Sequence, residues 1–99
     1  MKSWLRGEMT DQINERHKIY DAALKTFGLD DQLCIAQEEL AELIVAISKW
    51  RRYQDYAGMV EEIVDVEIMI GQLKLCFTEN YEDVFNKKIN RLKERVDGN

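Results

Sequence analysis

Ninety-nine residues, 45% hydrophobic and 33% charged, describe one small ordered domain near the low end of what a single core supports. No proline and only five glycines exclude a collagenous or loop-rich chain, and a net charge of −5 argues against a nucleic acid as main partner. No apolar run approaches the ~20 residues of a membrane span, and MKSWLRGEMT lacks the apolar centre of a signal peptide, so a cytoplasmic protein without a membrane partner is expected.

Ile13, His17, Tyr20, Leu24 and Phe27 recur at steps of four and three, which predicts a first amphipathic helix from about Thr10 to Thr26. Thr10 is expected to cap its start, and Gly28 to turn left-handed past its end. Asp30 or Asp31 then caps a second helix, with Leu33, Ala36, Leu40, Leu43, Ile47 and Trp50 on one stripe. RRYQDYAG reads as a polar connection. A third helix turns Val60, Ile63, Val66, Ile70, Leu73 and Phe77 inward. Asn80 is expected to cap a fourth with the stripe Phe85, Ile89, Leu92 and Val96, and Gly98 lies beyond its end. Strand signals are weak, because the β-branched residues fall in windows rich in Glu, Leu, Ala and Lys.

Four such helices bury their stripes most simply as an antiparallel four-helix bundle, an all-α fold. The middle helices carry aliphatics beyond one stripe: Ile35, Ile44 and Val45 on one, Val64, Ile68 and Met69 on the other. A bundle of one chain leaves some of these wet, so a homo-oligomer is expected to complete it. Cys34 and Cys76 lie in apolar helical patterns without metal-type spacing and read as reduced core cysteines. His17, on the first stripe, reads as a packed core or interface histidine.

One local pattern occurs twice. Residues 38–45 are EELAELIV and residues 61–68 are EEIVDVEI. On a helix, positions three apart share a face, so Glu39 projects with Glu42, and Glu62 with Asp65. If the two helices pack antiparallel, four carboxylates converge. Like charges at about 4 Å repel by roughly 4 kcal/mol at an effective dielectric of ~20, so the group either raises its pKa values or recruits a cation. An all-oxygen set suits a hard ion, above all Mg²⁺, and offers none of the Cys or His that zinc prefers. The plain alternative is a solvated acidic face. Similar spacings at Glu8–Asp11 and Glu79–Glu82 fall at predicted helix starts, where acids favour the dipole. The two central motifs instead sit inside the most apolar helices, where carboxylates are costly.

QEELAELIVAISKWRR followed by MVEEIVDVEIMIGQLKL resembles the MazG-like branch of the all-α NTP pyrophosphohydrolase superfamily. That family's signature is ExxE on one helix and ExxD on the next, usually with a Glu directly before each. The likeness covers about residues 33–77, with NKKINRLKER at 86–95 compatible and nothing specific in the first helix. It implies one MazG-like domain over residues 1–99 and Mg²⁺-dependent hydrolysis of a nucleoside triphosphate to monophosphate and pyrophosphate, with Mn²⁺ as a substitute.

The resemblance assigns Glu39, Glu42, Glu62 and Asp65 as metal ligands and Glu38 as the residue that orients or deprotonates water. Glu61 is a second candidate for that role, and both are equally readable as surface ion-pair partners. Lys49, Lys87, Lys88 and Arg91 are candidates for the phosphates and Asn90 for a sugar or phosphate, against the plain reading of a solvated basic face. Trp50, Tyr53, Tyr56, Trp4 or Tyr20 are candidates to stack on the base, although Trp50 also continues an inward stripe. The family varies between dimers and tetramers, so a homodimer or homotetramer is expected. A di-iron bundle needs Glu-x-x-His motifs that the chain lacks. A non-enzymatic helical adaptor with a solvated acidic face is the other reading.

Overall fold

The computed structural model describes the backbone of residues 3–99 and side chains from Met9 onward. The chain is all-helical: α1 spans Ser3–Phe27, α2 Leu29–Tyr53, α3 Tyr56–Cys76 and α4 Tyr81–Asp97, with no strand among the described residues. The four expected helices are present, but three of their boundaries move. α1 runs through Thr10, so that residue is mid-helix rather than a cap. Gly28 alone separates α1 from α2; its φ of 86° makes the turn and it occupies the N-cap itself, which leaves Asp30 and Asp31 inside the first turn as dipole partners. The expected polar connection shrinks to Gln54 and Asp55. Gln54 ends α2 in a left-handed conformation (φ 56°), and Asp55 caps α3 by accepting from the Gly58 N–H at 3.1 Å.

α2 and α3 form the closest pair and run antiparallel. Gln32 near the start of α2 donates from Nε2 to Gln72 Oε1 near the end of α3, at 2.6 Å. The seam between them is built from Gln32, Ala36 and Ala46 on α2 and Val66, Met69 and Gln72 on α3, all buried. Alanines at the contact let the two backbones approach. The bulkier aliphatics consequently point sideways: Leu40, Ile47, Ile63 and Ile70, expected inward, are exposed, and Trp50 is 40% exposed. Met69, expected among the surplus, is buried, while Ile35, Ile44, Val45, Val64 and Ile68 stay exposed as expected. The cysteines are free, as expected, but exposed rather than in a core, because both fall outside the alanine-lined seam.

α1 packs mainly on α3. The Tyr20 ring lies flat enough on Gly71 that a Cβ there would stand 2.5 Å from the ring. Tyr20 and Leu24 of the expected α1 stripe are half-buried; Ile13, His17 and Phe27 are exposed. His17 is therefore not a core residue of this chain, and its ring centroid sits 6.4 Å from that of Tyr20.

α4 stands apart: among the described residues, none of its Cα atoms lies within 8 Å of another helix. Its corner is built. Asn80 is left-handed (φ 62°), the Tyr81 N–H donates to the Thr78 carbonyl at 3.1 Å, Lys74 Nζ lies 5.1 Å from the Tyr81 ring centre, and Tyr81 stacks on Phe85. The radius of gyration is consequently 16.6 Å, where a compact chain of this length has about 13 Å. The accessible surface is 8437 Å², against about 5,900 Å² for a compact monomer of this mass.

Candidate metal centre

The alanine seam also sets the carboxylates. Once α2 and α3 meet along Ala36 and Ala46, Glu39 lies between those contacts on the same face, and Glu62 and Asp65 lie opposite on α3. All three are half-buried, and one oxygen from each lies within 4.8 Å of the others. Asp55 fixes where α3 begins, two turns before Glu62, so the cap determines which α3 side chains reach α2. Gly58 matters to that cap, because a Cβ at this position would meet Asp55 Oδ2 at 2.6 Å.

Glu62 is the most confined of the set. Its Oε2 is buried with no hydrogen-bond partner among the described residues. Loss of water around it, then repulsion from Glu39 and Asp65 and more weakly from Glu42, hold its carboxyl above the ordinary value of 4.5. A native fold rarely leaves a buried charged oxygen unpartnered. The three carboxylates fit a hard divalent cation by donor type. Oxygens on one Mg²⁺ at about 2.1 Å stand roughly 3–4 Å apart, a small side-chain rotation from the arrangement here.

Of the four expected ligands, three are brought together. Glu42 is exposed and lines an adjoining cavity of 200 Å³ with Lys49, Asp55, Glu61 and Glu62. Its charge is still close enough to raise Glu62. Glu38 is exposed on α2, a position open to solvent water. Lys49 lines the same cavity as Glu42, as its two-turn spacing along α2 implies. Trp50 meets Tyr56 edge-on with centroids 6.4 Å apart, and Tyr53 and Tyr56 are both well exposed at this end of the pair. Tyr20 is instead committed to packing on Gly71, and the side chain of Trp4 lies outside the described residues. Lys87, Lys88, Asn90 and Arg91 line a groove on α4 itself, so one chain does not unite them with the carboxylates. Asp55 was missed in the sequence. Its signal was available: an Asp directly ahead of a helical apolar run is a capping residue that marks a helix start.

No family model, curated protein or solved structure matches the chain. Among the described residues, no helix is long and apolar enough to cross a membrane.

Proposed function

We propose that this protein is a Mg²⁺-dependent nucleoside triphosphate pyrophosphohydrolase of the all-α, MazG-like type, working as a homodimer or homotetramer in clearing the nucleotide pool. The observation that carries the reading is the convergence of Glu39, Glu62 and Asp65 from two antiparallel helices around a buried, unpartnered Glu62 oxygen. Such a cluster is stabilised by a cation, and the doubled ExxE/ExxD pattern supplies the family analogy.

Bound there, Mg²⁺ would polarise a phosphoryl oxygen and offset the charge of the triphosphate. The chain's own residues divide the remaining work. Glu39, Glu62 and Asp65 hold the ion, and Glu42 extends the negative wall beside them. Glu38, exposed on α2 next to Glu39 in the chain, takes a proton from the attacking water. The water oxygen bonds to one phosphorus of the α–β anhydride as the bond from that phosphorus to the bridging oxygen breaks; the bridging oxygen leaves with the electron pair on the other half, and monophosphate and pyrophosphate separate. Lys49 faces the phosphate end from the adjoining cavity, and Trp50 with Tyr56 offers an aromatic edge for the base.

The test is pyrophosphate release from a panel of standard and modified nucleoside triphosphates, with Mg²⁺ and with chelator. Turnover that needs the metal and disappears in Glu62→Gln is expected. Absence of turnover, together with no thermal response to Mg²⁺ or Mn²⁺, sinks the hydrolase and leaves the helical adaptor, whose support is the large exposed apolar surface.

A further inference from the structure

α4 is the strongest amphipathic element of the chain, and among the described residues no helix packs along its apolar seam. Phe85, Ile89, Leu92 and Val96 follow a 4-3-4 spacing, the seam of a packed helix pair, and are 48–64% exposed. A helix of 17 residues gains little stability from propensity alone and depends on covering such a seam. The corner at Asn80–Tyr81 carries the helix away from its own α2 and α3 and holds it there through the Tyr81 contacts.

Charge identifies what covers it. On a 3.6-residue helix, Lys88, Arg91 and Arg95 form a row along one edge of the seam, and Lys93 lies on the other edge. Lys93 is paired with Asp97 at 3.3 Å, so the uncompensated edge is Lys88, Arg91 and Arg95, and two α4 helices laid antiparallel would set that edge against itself. The chain carries −5 in all; α4 holds five Lys/Arg and four Asp/Glu, so the remainder carries −6. Part of that acidity lies beside exposed aliphatics on one side of α2–α3, where Lys49 is, among the described residues, the one basic residue lining the cavity. Glu38, Glu42 and Glu61 are exposed there, and Val45 borders the cavity of Glu42 and Glu61. Val64 and Ile68 adjoin them, flooring a 370 Å³ groove between α1 and α3.

We propose that α4 is an exchanged arm: it docks its apolar seam on the acidic side of α2–α3 in a second copy of the chain, bringing Lys88 and Arg91 toward that copy's carboxylates. The area is adequate. The chain exposes about 2,500 Å² more than a compact monomer of its mass, and an obligate dimer covers about 1,000–2,500 Å² on each partner. Exchange also unites the basic residues of α4 with the carboxylates that one chain keeps apart. None of this depends on the hydrolase reading, since an inactive protein can still exchange the arm.

Equal amounts of unlabelled and ¹⁵N-labelled protein, mixed under mild denaturation and refolded, are coupled with a zero-length carbodiimide and digested for mass spectrometry. Mixed-isotope peptides joining Lys87, Lys88 or Lys93 to Glu38, Glu42 or Glu61 are expected. Ile89→Glu/Leu92→Glu should lose those links and fall to the monomer mass of 11.7 kDa by light scattering while staying helical. Links confined to one isotope, or no α4 links, overturn the proposal. So does an unchanged oligomer in the double variant, or a monomer whose α4 binds anionic phosphatidylserine vesicles instead.

Discussion

Adding one methyl group at Gly71 tests the way α1 is seated. Two effects of opposite sign meet there. Gly71 lies within α3, where alanine is worth about 1 kcal/mol more than glycine by helix propensity. A Cβ at this position, however, stands 2.5 Å from the nearest carbon of the Tyr20 ring, whereas ordinary contact begins at 3.4 Å. The ring must retreat by roughly 1 Å, and overfilling of this kind costs about 1–3 kcal/mol. Gly71→Ala is therefore expected to be neutral to about 2 kcal/mol destabilising. In a Tyr20→Ala background the obstruction is gone, and the same change should stabilise by about 1 kcal/mol. The sign reversal gives a coupling of about 1–3 kcal/mol in a double-mutant cycle. Urea unfolding at one fixed protein concentration measures it, provided the m-value stays constant. If Gly71→Ala stabilises the wild-type chain by the full propensity gain, Tyr20 does not rest on Gly71 and the seating of α1 is wrong.

Further outcomes follow from the carboxylate cluster and its supports. Because Glu62 holds its proton more tightly in the fold than in the unfolded chain, metal-free stability should fall as pH rises from 4.5 through the raised folded value, then level off; Glu62→Gln should flatten that slope in thermal melts across pH. Glu39→Gln, Glu62→Gln and Asp65→Asn should each abolish the rise in Tm with Mg²⁺, whereas Glu38→Gln should keep that rise and lose pyrophosphate release; loss of both in Glu38→Gln would make it a ligand. Asp55→Ala removes the cap of α3 and should cost about 1 kcal/mol, or about 4–8 °C in Tm for a domain of this size. An unchanged melt would show that α3 starts without it.

Periodicity located the four helices because each carries an uninterrupted 3.6-residue pattern without proline. It misplaced the seam. The pattern points the rows of large aliphatics inward, but Ala36 and Ala46 permit the closest approach, and Leu40, Ile47, Ile63 and Ile70 are turned aside. Hydrophobic size and proximity of backbones are different criteria, and one sequence cannot say which prevails. The acidic cluster was more legible. Glu39, Glu62 and Asp65 meet because their spacing places them beside the seam on facing helices. Glu42 was grouped with them by spacing alone; its side chain opens onto the next cavity instead. The position of α4 was not readable, since a connection of a few residues permits either a folded-back or a projecting helix, and Asn80 with Tyr81 decides for the latter.

The glutamines at the far end of the α2–α3 hairpin have a bearing on its uniqueness. Aliphatic surfaces tolerate sliding by a turn, about 5.4 Å, at modest penalty. Gln32 and Gln72 do not, since any such slip strands two amides in a dry environment. The hairpin thus has one permitted alignment, and the acidic side chains further along it meet at a fixed height. Replacing both glutamines with leucine should yield a sturdier protein that no longer knows its own phase.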